Sequence, residues 1–263
     1  MQPEIATAPV SKKMLWAGRI LTALPALFLL FDSAGKLMKV APVVEGTTQL
    51  GYAESVILPL GIVLLGCTVV HLIPRTAMLG AILLTGYLGG AVATHVRVGS
   101  PLSTHVLFPV YIAVLVWGGL YLRDERLRAV VQSGTQSAAA SKKMLWTGRV
   151  VSALPVLMLL MSAGMKFAKG PEVVDGLAKF GYPESAVLGI GIAELACTII
   201  YVIPRTSVLG AILLVGYLGG ATATHVRIGD MFLAPIIAGV LVWAGLYLRD
   251  ARVRALVPLR KSP

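Results

Sequence analysis

Apolar positions in this chain do not alternate. They come in unbroken runs separated by short polar joints. The runs fall at about residues 14–34, 54–73, 76–94 and 106–122, and then at about 144–164, 184–203, 206–224 and 233–248. Each is near the ~20 residues a helix needs to cross the ~30 Å hydrocarbon layer. Unbroken runs of that length predict helices rather than strands. Lipid offers the backbone no hydrogen bonds, so the spanning segments must satisfy themselves as helices. The pattern predicts an all-α integral membrane protein with eight transmembrane helices.

The polar joints show four runs used twice. Ile73–Gly99 and Ile203–Gly229 lie 130 positions apart and share 22 of 27 residues. Ser11–Trp16 (SKKMLW) restarts as Ser141–Trp146. The expected organisation is a disordered tail at 1–10, a four-helix unit at 11–128, a cytoplasmic linker at 129–140, a second unit at 141–257 and a tail at 258–263. An even number of spans sends both halves across in the same sense, giving a parallel repeat about an axis along the membrane normal. Such a chain resembles a fused homodimer, so the halves are expected to pack as a pseudo-dimer. Gly86 and Gly90, with Gly216 and Gly220, have small-x-x-x-small spacing, and Gly89 and Gly219 extend the bare face. Close helix packing inside each bundle is the expectation; a flat ligand such as a quinone ring is the alternative.

Composition fixes the environment. The chain is 57% hydrophobic and 13% charged, with mean hydropathy +0.83, whereas a soluble domain is about 25% charged. The net charge of +11 does not indicate nucleic acid, because Lys and Arg collect at cytoplasmic helix ends. With both termini inside, 16 of the 23 Lys and Arg face the cytoplasm, which predicts an N-in, C-in, multi-pass protein of a bacterial inner membrane. No cleavable leader is expected: the first run follows Lys12-Lys13, is long enough to span and lacks a small-residue cleavage site. Cys67 and Cys197 are repeat equivalents without a C-x-x-C, and read as small packed residues.

The candidate chemistry sits mostly at the predicted outer end. His95-Val96-Arg97 and His225-Val226-Arg227 close the third run of each half. An imidazole titrates near neutrality and can bond a quinone carbonyl or move its protons; the plainer reading is an arginine snorkelling to phosphate beside an interfacial histidine. A haem held between His95 and His225, with the arginines on its propionates, ranks below the quinone because the two rings would have to face each other. Asp32 and Lys36 form a favourable i, i+4 pair. Lys166 has Ser162 in place of the acid, so Glu45 and Asp175, in what reads as outer loops, are the candidate partners of the lysines. Glu194 lies halfway along its run where the first half has Leu64, and a mid-membrane acid is a functional candidate by default. His71 is the opposite asymmetry, its equivalent being Tyr201. No nucleotide, zinc-hydrolase or nucleophile-elbow motif occurs.

The order SAGMKF, GPEVVDGLAKFGYPES, GIAELAC, IPRT, YLGGATATHVRIGD in the second half resembles the DoxX-like family of small four-span bacterial membrane proteins. The first half (DSAGKL, APVVEGTTQLGYAES, GIVLLGC, IPRT, YLGGAVATHVRVGS) is similar but departs at Ala53, Leu64 and Ser100. The resemblance implies a four-helix fold and, through the wider DoxX group, a link to membrane redox complexes. The expected function is a redox-associated subunit that binds a quinone or similar lipophilic molecule at the outer end. His225 would move a proton, Glu194 relay it, and Lys166, Asp175, Arg227, His95, Arg97, Lys36 and Glu45 line the site. A soluble oxidoreductase is the expected partner beside the bilayer. The alternative is a non-enzymatic scaffold for such a partner, or a carrier of a small lipophilic solute. If one half carries chemistry, the second is expected to.

Overall fold

The computed structural model describes residues 11–132, 141–254 and 256. The predicted tails and residues 133–140 of the predicted linker lie outside them. The described residues form helices: α1 Lys12–Leu37, α2 Ala41–Gln49, α3 Glu54–Leu72, α4 Ala77–Arg97, a π-helical turn Leu102–Val106, α5 Phe108–Arg123, α6 Glu125–Gln132, α7 Lys142–Ala168, α8 Pro171–Lys179, α9 Glu184–Val202, α10 Ser207–Ile228, α11 Leu233–Arg249 and α12 Ala251–Arg254. Seven stretches are long and apolar enough to cross a membrane, and α11, with 17 residues, is a shorter eighth. Phe31 is 80% exposed and Leu27, Phe28, Leu157 and Met161 are also exposed. In a bilayer those side chains face acyl chains.

Local chemistry sets the helix boundaries. Ser11 caps α1 by accepting from the Met14 amide at 3.3 Å, which satisfies a first-turn donor that would otherwise be orphaned. The polar joints hold more helix than the runs predict. The segments VVEG and VVDG, expected as loops, are the middles of α2 and α8, each with proline at its start, where the missing N–H costs nothing. Gly51 and Gly181 then take φ of 79° and 77° and turn the chain into α3 and α9. The charged stop at 123–128 is a helix boundary. The Asp124 carboxylate accepts from the Arg126 and Leu127 amides at 2.9 and 3.2 Å and starts α6, which runs into the predicted linker. Asp250 accepts from the Arg252 amide at 2.9 Å in the same way.

The chain divides into two compact units. One takes the described residues of Met1–Leu84, Tyr111–Ser141 and Asp250–Pro263; the other takes Thr85–Val110 and Lys142–Arg249. The second unit thus contains the C-terminal part of α4, from Thr85, together with α7 to α11. Its glycines are used differently from the expectation of packing inside each bundle. A Cβ on Gly89 would overlap the Gly216 carbonyl, and a Cβ on Gly219 would overlap that of Gly86. A Cβ on Gly90 would meet Ala223 at 3.0 Å and one on Gly220 would meet Ala93 at 2.9 Å. The bare faces of α4 and α10 are therefore laid on each other, backbone to backbone. The contacts are reciprocal between repeat equivalents. Helix fills the face that the quinone-ring alternative left open.

Candidate functional site

A polar cluster inside the second unit begins with a glycine. A Cβ on Gly191 of α9 would meet the Lys166 Cβ of α7 at 3.0 Å, so its absence lets the two helices approach. One turn later Glu194 is 2% exposed. Lys166 Nζ donates to Glu194 Oε2 at 2.9 Å and to Ser162 Oγ at 2.6 Å, and Ser162 Oγ donates to Glu194 Oε2 at 3.2 Å. The Tyr217 hydroxyl of α10 is within hydrogen-bonding reach of the same carboxylate, and Tyr182 interacts electrostatically with Tyr217. Lys166 thus turns inward to Glu194, not outward to Asp175.

The first repeat makes a pair of the same charges differently. Lys36 bonds Asp32 on its own helix rather than Glu45, and Leu64 fills the place of Glu194 at 0% exposure. Each repeat therefore carries one buried-side lysine and one acid. The acid has moved from the first long helix to the next, Asp32 becoming Ser162 while Leu64 becomes Glu194. That compensated exchange was a readable signal for the Lys166–Glu194 pair. Glu45 and Asp175 are exposed on α2 and α8.

The histidines and arginines close the helix ends. His225 Nδ1 lies 3.0 Å from Asp230 Oδ2, and Phe180 sets its ring edge against the imidazole with centroids 4.8 Å apart. The Met231 amide and then His225 hold the Asp230 carboxyl below its ordinary range. His95 Nδ1 lies 3.1 Å from Ser100 Oγ, and His105 packs edge-on at 5.5 Å. Each imidazole is thus engaged at its own helix end. Arg227 donates to the Phe180 carbonyl at 2.8 Å, and its buried Nε has no hydrogen-bond partner among the described residues. Arg97 and Arg227 both come within 4 Å of the point a Cβ on Gly181 would occupy. Below that turn the Tyr182 hydroxyl bonds Thr224 Oγ1 at 3.0 Å and the Ala93 carbonyl at 3.3 Å.

The second unit thus brings together Arg97 with Arg227, His225 with Asp230, and Lys166 with Glu194. Reading the sequence alone missed Phe180, Tyr182 and Tyr217, whose roles depend on the turn at Gly181 and the rotation of α10. Among the described residues no three His, Cys, Asp or Glu side chains cluster as a metal site requires. Both cysteines are free thiols. The model of the DoxX-like family matches the chain twice, over residues 20–119 and 150–245. No curated protein and no solved structure matches it.

Proposed function

The chain belongs to the DoxX-like family, with two copies in tandem, and from that premise we propose that its second repeat binds the carbonyl head of a quinone or a similar lipophilic molecule. One observation carries the reading: Arg97 and Arg227, repeat equivalents, converge on the single turn at Gly181. Two guanidinium groups beside a backbone with no side chain form a donor-rich, cationic spot suited to a polarised carbonyl or an anion. His225 adds a titratable ring beside it. Tyr182, Tyr217 and the Lys166–Glu194 pair supply polar groups that lead into the apolar bundle. The protein's share is to bind, to orient and to move protons, while a soluble oxidoreductase supplies the electrons. Asp175 and His95, of the same compact unit, belong to the rim of this site.

The same reading places the protein in a bacterial inner membrane with both termini inside, as the Lys and Arg count supports. It treats 11–128 and 141–257 as two DoxX-like units joined as a pseudo-dimer. The reciprocal Gly89–Gly216 and Gly219–Gly86 approach supports that pairing. One observation favours the non-enzymatic reading, a scaffold or solute carrier: Lys166, Ser162 and Glu194 satisfy one another. The deciding experiment is titration of the purified chain with a quinone analogue, beside mass spectrometry of its lipid extract. Saturable binding that weakens about tenfold in Arg227→Gln, the scale of one charge-assisted hydrogen bond, supports the quinone site. No saturable binding, with no quinone in the extract, gives the scaffold or carrier reading the field.

A further inference from the structure

The first long helix of each repeat opens on exposed cations, an arrangement unrelated to the quinone reading. In the first compact unit Lys12, Lys13, Trp16 and Arg19 of α1 are all exposed, Trp16 by 63%. The Arg19 guanidinium lies over the Trp16 ring, 5.3 Å from its centroid. In the second unit Lys142, Lys143, Trp146 and Arg149 of α7 are exposed in the same order, and Arg149 lies 5.1 Å from the Trp146 centroid. Lys12, Trp16 and Arg19 stand at i, i+4 and i+7, which is one stripe of a helix.

The stripe has charge but no acid. The only acid of α1, Asp32, is bonded to Lys36, and α7 contains none. Among the described residues no carboxylate forms an ion pair with any of the six cations. The indole holds the arginine by its ring quadrupole and neutralises none of its charge. Lys12 and Lys13 also stand at the positive end of the helix dipole, where a cation is disfavoured. Depth adds to the conflict. A helix rises about 1.5 Å per residue, so Arg19 lies about 10 Å along the axis from Lys12. The headgroup layer on one side of a bilayer is only about 5–8 Å deep. With the lysines at its rim, Arg19 meets the top of the hydrocarbon, where a charged side chain reaches back for a polar partner. Beyond it the same helix stays exposed but turns apolar, at Ile20, Leu24 and Leu27 in α1 and at Val150, Leu154 and Leu157 in α7.

We propose that each stripe seats one net-anionic glycerophospholipid, with its phosphate held between the arginine and the lysine pair and an acyl chain along the apolar track. Charge selects the headgroup. Arginine's planar fork of donors matches two phosphate oxygens. Three cations repel the ammonium of a zwitterionic lipid, and phosphatidylglycerol has no ammonium. The apolar track selects a lipid over a soluble anion, because it continues directly from the cationic end and gives the surface the two-part character of an amphiphile. Basic residues at any membrane surface attract anionic lipid without fixed geometry. Here a stacked ring fixes the arginine, and both units build the same stack.

The test titrates the full chain in detergent with phosphatidylglycerol or phosphatidylcholine and reads bound lipid by native mass spectrometry. The wild type is expected to bind two phosphatidylglycerols per chain in preference to phosphatidylcholine. Arg19→Gln is expected to weaken one of the two steps about fivefold, the scale of one cation beside an anionic lipid. Arg149→Gln is expected to weaken the other, and the double variant both. Arg75→Gln removes an exposed charge in the joint between α3 and α4 and is expected to leave both steps unchanged. Equal affinity for the two lipids, or binding unchanged in Arg19→Gln, overturns the proposal. A loss in Arg75→Gln as large as that in Arg19→Gln also overturns it, since net charge alone would then set binding. Should Arg19→Gln fail to fold, Lys12→Gln combined with Lys13→Gln decides in its place: a loss of at least fivefold in one step is expected, and no loss overturns the proposal.

Discussion

Glu194 and Lys166 stabilise this fold only as a pair. A buried charge left without its partner costs about 3–5 kcal/mol, so Glu194→Leu is expected to lower thermal stability by that order. Adding Ser162→Asp recreates the Asp32–Lys36 arrangement of the first repeat and is expected to recover most of the loss. A double-mutant cycle by thermal unfolding in detergent measures both; equal losses in the single and double variants would contradict the exchange. The pair was partly legible, since Glu194 stands out in its apolar run, but its partner depended on which way α7 and α9 are rotated. Asp230 makes a prediction in pH. Its folded carboxyl titrates below the ordinary range, with the Met231 amide as the largest cause and His225 next. The ionised form is the one these contacts favour. Their support is therefore complete above the carboxyl's ordinary value and is lost as pH falls from about 4 through the lowered folded value. The protection of the Met231 amide, its exchange rate compared with the intrinsic rate at each pH, is expected to drop over that fall in the wild type and not in Asp230→Asn.

Helix by helix, the apolar runs locate the eight principal elements within a few residues, because length and continuity suffice for that. The short elements were hidden for a physical reason. At nine residues each, α2 and α8 offer too few turns for a periodic signal, and each contains a glycine (Gly46, Gly176) that reads as a loop. The glycine faces were visible, but spacing alone does not say which helix fills them. The answer can be tested by the sign of a substitution. Gly66 in α3 has nothing within 4 Å of its would-be Cβ, so Gly66→Ala is expected to stabilise by about 0.5–1 kcal/mol through backbone entropy. Gly89→Ala puts the same methyl group onto the Gly216 carbonyl and is expected to destabilise by about 1–3 kcal/mol as the helices separate. Chemical or thermal unfolding of the two variants gives the comparison; a stabilising Gly89→Ala would show that the helices part freely.

For the whole molecule, an even number of spans in each repeat requires both ends of the chain to face the same side. Single cysteines at Glu125 and at Asp175, in a chain with Cys67 and Cys197 replaced, are expected to label from opposite sides of intact cells, with Asp175 outside. Labelling of both from one side would break the eight-span reading. The crossing of α4 on α10 also has a consequence in time. The bare strip at Gly86, Gly89 and Gly90 is complete once the first repeat has been made, but its matching strip lies 130 residues further along the chain. At roughly 5–20 residues per second of synthesis, the first strip waits about ten seconds in the bilayer for its counterpart. Throughout that interval the best available match is the same strip on another nascent chain. Fusing the two copies turns a search between chains into a wait within one, and the interval closes when α10 emerges.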